Sequence, residues 1–214
     1  LSLINLSLKV SKLTNWYFDI TVLPLLENIW YWINKNILEE NIWYKNIELS
    51  WGKIILKNWI SIDLWAVWKW FIVDKIYNIL DEKYDDFIID FGWDIRVKWT
   101  HAILLEDPCD DTKSIWKIKI NNLSIASSSP NKRKTEKWHH LINPIDKDKK
   151  EDKIAIYITH RLSSFSDIFS TALFICPLEK SIEILNNTKW LEWMIIAKNW
   201  EIFKTKWFNC DLNT

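Results

Sequence analysis

Apolar and polar positions along this chain follow two periods, and the switch between them marks out its elements. From Leu1 to Lys12 the mixture is helical in character, and from Val22 to Ile29 Leu25, Leu26 and Ile29 share one face behind Pro24, a residue suited to a first helical turn. Ile47 to Leu49 and Lys53 to Leu56 alternate as short strands around Trp51-Gly52, a hairpin turn if position 51 were glycine. Ser61-Ile62-Asp63-Leu64 is a further strand candidate, followed by a tight loop over 65–70. Phe71, Ile72, Ile76, Ile79 and Leu80 then recur at helical spacing and predict an amphipathic helix over 71–83.

Beyond that helix the period shortens to two. Phe87-Ile88-Ile89 reads as a buried strand, with a turn at 91–94 and further strands over 95–97, 102–105, 116–120 and 123–126. The stretch 127–136 is polar, basic and broken by Pro130, which predicts a loop, and the charge run 147–153 predicts a solvated one. A strand over 154–159, helices over 167–175 and 182–185, and a hairpin around Asn199 complete the chain. No repeat or heptad pattern is present. The expected class is α+β, a mostly antiparallel sheet flanked by helices, in a single domain spanning 1–214.

Charge removes one group of functions. With 28 Lys and Arg against 28 Asp and Glu the net charge is 0, so a general polyanion binder is excluded and nucleic acid is not an expected partner. No apolar run approaches the ~18 residues of a membrane span. Cys109, Cys176 and Cys210 are widely spaced and odd in number, which suits neither a disulfide framework nor a zinc site.

Composition adds an anomaly of 17 Trp and 2 Gly in 214 residues. Ordinary usage of about 7% would give roughly 15 glycines, a figure that the two counts together approach. Asn15-Trp16, Asn58-Trp59 and Asn199-Trp200 stand between apolar runs, where a turn calls for Asn-Gly. The expectation is that nearly every Trp stands for Gly, as when a gene that uses UGA for glycine is translated with UGA as tryptophan. Positions 65, 68, 70, 93 and 200 should then need glycine. The competing expectation is a binder that uses aromatic platforms.

Three places could carry chemistry. Ile62 to Phe71, with glycine at the Trp positions, is a glycine-rich link from strand to helix whose amides could face a phosphate. Its spacing fits neither a Walker loop nor G-x-G-x-x-G, and a plain connection is the alternative. His139-His140 precedes Asn143-Pro144, where a histidine could serve as general base or simply cap a turn. Asp167 and Thr171 lie four apart on one helix face, able to share a hard cation such as Mg²⁺ or to act as N-cap and packing residue. His101 and His160 stand alone beside strands and read as structural.

Taken in order, these blocks resemble a family. With Trp as Gly, 16–32 reads GYFDITVLPLLENIGYG, 62–74 reads IDLGAVGKGFIVD and 90–99 reads DFGGDIRVKG; HHLINP at 139–144 and SDIFSTALFI at 166–175 follow. Together they look like the ApbE family of flavin transferases from about Asn15 onward. The resemblance implies a Mg²⁺-dependent enzyme that binds FAD, transfers FMN to a Ser/Thr hydroxyl of an acceptor flavoprotein and releases AMP. It further implies FAD contacts at Tyr17, Phe18, Asp19, Asp63, Lys69 and Ile142, a catalytic base at His140, and metal ligands at the Ala66 carbonyl, Asp167 and Thr171. Asn143, Asp90 and Pro177 depart from the commoner Asp, Asn and Gly. The family's N-terminal part is expected to be missing from this chain, which favours a flavin-binding remnant as the alternative, and FAD hydrolysis by the same metal site is a further one.

Overall fold

The computed structural model describes residues 2–30, 42–92, 94–130, 143–145, 151–208 and 210–212. Within them run five α-helices, α1 Ser2–Leu13, α2 Leu23–Trp30, α3 Trp65–Asp81, α4 Ser163–Ile175 and α5 Leu178–Asn187. The strands are β1 Ile47–Ser50, β2 Lys53–Leu56, β3 Phe87–Asp90, β4 Ile95–Lys98, β5 Thr100–Asp107, β6 Asp110–Asn121, β7 Ser124–Ser128, β8 Lys153–His160, β9 Glu192–Ala197, β10 Ile202–Lys204 and β11 Cys210–Leu212. They form a β1-β2 hairpin, a six-stranded sheet ordered β10-β9-β8-β7-β4-β3 and a three-stranded sheet ordered β11-β6-β5. Every strand pair is antiparallel. This is the expected α+β class.

The six-stranded sheet is the middle layer, and the alternation of β8 and β9 shows why. Ile156, Ile158, Trp193 and Ile195 enter one core with Ile4 and Val10 of α1, Val67 of α3, Ile168, Phe169, Ala172 and Leu173 of α4, and Ile184 and Leu185 of α5. The residues between them, Ala155, Tyr157, Met194 and Ile196, enter a second core with Ile103, Leu105, Trp116, Ile118 and Ile120 of the three-stranded sheet. A period of two that is apolar on both faces is what a strand covered on both sides requires. No helix among the described residues is long and apolar enough to cross a membrane.

Several expectations are corrected. Residues 61–64 form no strand, and the supposed loop over 65–70 is the first part of α3, which begins six residues before the predicted helix. Trp65, Trp68 and Trp70 therefore have helical backbone, and Trp70 is buried. Helical continuity with Val67, Trp70 and Val73 turned into the protein outweighs the turn-like reading of closely spaced tryptophans. β3 is half exposed rather than buried, because it is the edge of its sheet. Asp167 lies inside α4, not at its cap, since that helix starts at Ser163.

The end of the charge run is also different. Lys153 is fully buried, and its Nζ donates to the Cys176 carbonyl and, at 2.7 Å, to Asp152. The other Asp152 oxygen accepts the Leu178 amide at 2.8 Å, at the start of α5. A buried ammonium is tolerable only with such partners. Residues 131–136 and 147–150 lie outside the described residues, and the three cysteines are free.

Eight non-glycine residues among those described have left-handed backbone: Asn15, Trp16, Trp51, Asn58, Trp59, Trp99, Asn122 and Trp200. Asparagine tolerates this region. For a bulky side chain the conformation costs on the order of 1–2 kcal/mol, yet five of the eight are tryptophan. Of the turn positions read as glycine, 16, 51, 59 and 200 show this geometry; of the others expected to need it, 65, 68 and 70 are helical and 93 lies outside the described residues.

Candidate active site

The first candidate segment leaves the end of α1. Tyr17 is half-buried against the helical core, Phe18 is buried within it, and the buried Asp19 carboxylate is surrounded by donors. One oxygen accepts the Thr21 amide at 2.8 Å and its hydroxyl at 2.7 Å; the other accepts the Tyr44 amide at 2.8 Å and the Trp16 indole N–H. Burial pushes the Asp19 carboxyl above its ordinary value, against the downward pull of the Thr21 amide and the other donors. Asp19 thus holds the 16–21 turn to the chain entering β1. Replacing it with alanine would strand these donors and lower stability by about 3 kcal/mol, measurable by urea unfolding.

The second segment is tied to the first. The Asp63 amide donates to the Ile20 carbonyl at 2.7 Å, so Tyr17–Asp19 and the approach to α3 run side by side. Leu64 accepts the Val67 and Trp68 amides as α3 begins. Lys69, half-buried one turn into that helix, holds its ammonium 4.4 Å from the Trp70 ring centre and 4.9 Å from that of Phe91. Ala66 lies in the same first turn of α3.

Helix α4 brings the remaining described residues. Asp167 and Thr171 are both half-buried, one turn apart on the same face, and α4 packs against α3, β7 and β8. Buried serine pairs fix it on β7: Ser166 Oγ lies 2.8 Å from Ser124 Oγ, and Ser170 Oγ lies 2.8 Å from Ser128 Oγ. Across β7, a cavity of about 550 Å³ is lined by Ser127, Ser129, Asp90, Ile125, Tyr157 and the β5–β6 turn. Asp63, Lys69, Asp167 and Thr171 do not line it. The C-terminal end of β7 therefore stands between the helix carrying the carboxylate and hydroxyl and a cavity of ligand size.

The donors suit a hard cation. One carboxylate, one hydroxyl and a carbonyl leave room for phosphate oxygens and water, the way Mg²⁺ is commonly held. Among the described residues no cluster of three or more His, Cys, Asp or Glu could hold a metal. His139, His140 and Ile142 lie outside the described residues. His160 is structural as expected: its Nδ1 accepts the Leu162 amide at 3.0 Å, its ring packs on Phe165 and Trp190, and burial lowers its pKa.

Two features were missed in the sequence. Ser127 to Ser129 read as the start of a polar loop after a strand over 123–126, whereas β7 runs on to Ser128 with one face toward a helix and the other toward a cavity. Asp74 was quoted only as the end of a block. It is buried, and its carboxylate accepts the Ser163 amide at 2.8 Å, the Ser164 amide at 3.2 Å and the Ser164 hydroxyl at 2.7 Å. Arg96 of β4 donates to it as well.

Comparison with known proteins places this architecture. The profile of the ApbE family matches residues 1–195. Among solved structures, the ApbE protein of Thermotoga maritima MSB8 is similar with a TM-score of 0.82 at 22% identity, over 96% of this chain and 75% of that one. The flavin transferase ApbE of Vibrio cholerae follows at 0.80 and 16% identity, over 97% and 74%. The apo flavinyl transferase ApbE of Pseudomonas stutzeri gives 0.79 at 13% identity, over 96% and 71%. No curated protein matches the chain.

Proposed function

Because the chain belongs to the ApbE family, we propose that it is a Mg²⁺-dependent flavin transferase that moves FMN from FAD to a Ser/Thr hydroxyl of an acceptor flavoprotein and releases AMP. The observation that carries this reading is the junction at the end of β7. Ser128 bonds Ser170, the neighbour of Thr171, while Ser127 and Ser129 line the cavity. In this reading the ring system of the dinucleotide occupies that cavity and its pyrophosphate lies at the α4 side of this junction, toward Asp167 and Thr171.

In this reading the acceptor hydroxyl oxygen forms a bond to the phosphorus of the FMN half. The bond from that phosphorus to the AMP phosphate breaks, and AMP leaves with the electron pair. His140 takes the hydroxyl proton as general base. Asp167, Thr171 and the Ala66 carbonyl hold Mg²⁺, which when bound neutralises charge on the pyrophosphate as AMP departs. Lys69 adds positive charge beside the phosphates, and Tyr17, Asp63 and Ile142 contact the dinucleotide. Phe18 and Asp19, buried and internally bonded, act by shaping the turn that presents Tyr17.

The test incubates the protein with FAD, Mg²⁺ and an acceptor flavoprotein. The expected result is covalent flavin on the acceptor in step with AMP. FAD binding without AMP would make the chain a binding remnant, and AMP with free FMN would make it an FAD pyrophosphatase.

A further inference from the structure

We propose that Asp74 is a positioning residue for the metal ligands of α4, an inference that rests on the flavin-transferase reading above. Helix α4 has no cap of its own, because the residue before it is Leu162, whose side chain caps nothing. The first amides of a helix have no partner inside it and must find one elsewhere. Asp74 supplies it from α3, taking the amides of Ser163 and Ser164 and the Ser164 hydroxyl, and its charge suits the positive end of the helix. Arg96, with its guanidinium 3.6 Å from the Tyr77 ring centre, donates to the same carboxylate and ties it to β4.

The placement gives this cap its consequence. Asp74 stands two turns along α3 from Ala66, and Ser163 stands one turn before Asp167 and two before Thr171. One carboxylate thus joins the two helices that carry all three proposed ligands. Any slide of α4 along α3 would change the spacing of a carbonyl on one helix from a carboxylate and hydroxyl on the other. Small cations such as Mg²⁺ are intolerant of that change.

Mg²⁺ affinity of the FAD-loaded protein, measured by calorimetry well below the melting temperature, tests this. Asp74→Asn, which turns an acceptor into a donor facing donors, should weaken Mg²⁺ binding by about 10–100-fold while FAD binding without metal stays near wild type. Ser164→Ala should act in the same direction with a smaller effect. Wild-type Mg²⁺ affinity in a folded Asp74→Asn protein, even one with a lowered melting temperature, overturns the proposal. Should that variant not fold, wild-type affinity in Ser164→Ala overturns it. Unchanged Mg²⁺ binding in Asp167→Ala instead removes the metal reading itself, so the two failures are separable.

A second inference stands on an independent observation. We infer that the tryptophans with left-handed backbone are glycines in the native protein, the gene using UGA for glycine. Trp51-Gly52 closes the two-residue β1-β2 hairpin with φ 48° and 76°, and Asn58-Trp59 forms a turn at 56° and 54°. These are the angles at which Asn-Gly is favoured. Trp51 and Trp59 are 99% and 96% exposed, so no packing repays the strain. Trp16 closes α1, Trp99 links β4 to β5, and Trp200 lies in the β9-β10 turn. The Trp16 indole bonds Asp19, but that carboxylate keeps three other donors. None of the proposed site residues is a tryptophan.

Peptide mass spectrometry of the protein from its own cells should show glycine at position 51 in the peptide 46–53, at 59 in 58–69 and at 200 in 199–204. Tryptophan at these positions overturns the inference, as do UGG codons there. Restoring glycine at 16, 51, 59, 99 and 200 in the chain as written should raise the melting temperature by about 10–20 °C. An unchanged melting temperature would contradict it.

Discussion

Asp167→Ala should reduce Mg²⁺-dependent AMP release from FAD on the order of 10³-fold, while FAD still binds. The carboxylate is the only charged donor in the proposed metal set, since Ala66 contributes a carbonyl and Thr171 a hydroxyl. Without it Mg²⁺ has no protein anion to hold it beside the pyrophosphate. The charge that builds on the leaving phosphate then meets water instead of a fixed cation. FAD affinity should suffer less, because the cavity beside Ser127 and Ser129 lies across β7 from α4 and is untouched. Flavin fluorescence on binding and chromatographic AMP together give the readout. A variant that keeps its Mg²⁺ dependence would leave the metal site without its central residue.

His140→Ala should behave differently. Metal and FAD should bind as before and transfer should slow by about 10²–10⁴-fold, the range for loss of a general base. Transfer to the acceptor, rather than FAD affinity, is thus the quantity to follow. Wild-type transfer in this variant would remove His140 as base without touching the metal assignment.

The two variants also mark how far the site was readable before the fold. Asp167 and Thr171 are four residues apart, so a helical period alone puts them on one face, and α4 realises it. The α+β class, the β1-β2 and β9-β10 hairpins and the strand β8 follow from local periods and turn chemistry, but that both faces of β8 are covered does not. Over 61–70 the local signal failed, because closely spaced tryptophans mimic a glycine loop while the buried positions Val67, Trp70 and Val73 continue a helix.

What the sequence by itself determined was therefore whatever neighbours within about one turn or one hairpin decide: period, turn positions and the pairing of Asp167 with Thr171 on one face. The tertiary structure alone decided which distant groups meet. Asp74 finds its partners 89 and 90 residues away at Ser163 and Ser164, Ser128 finds Ser170 at a separation of 42, and Lys153 loses its water to the carbonyl of Cys176. The physical reason is that each of these groups is polar and unremarkable in sequence. Only burial between packed layers obliges it to choose a partner, and the packing of apolar faces, not the polar residue, determines which partner is there.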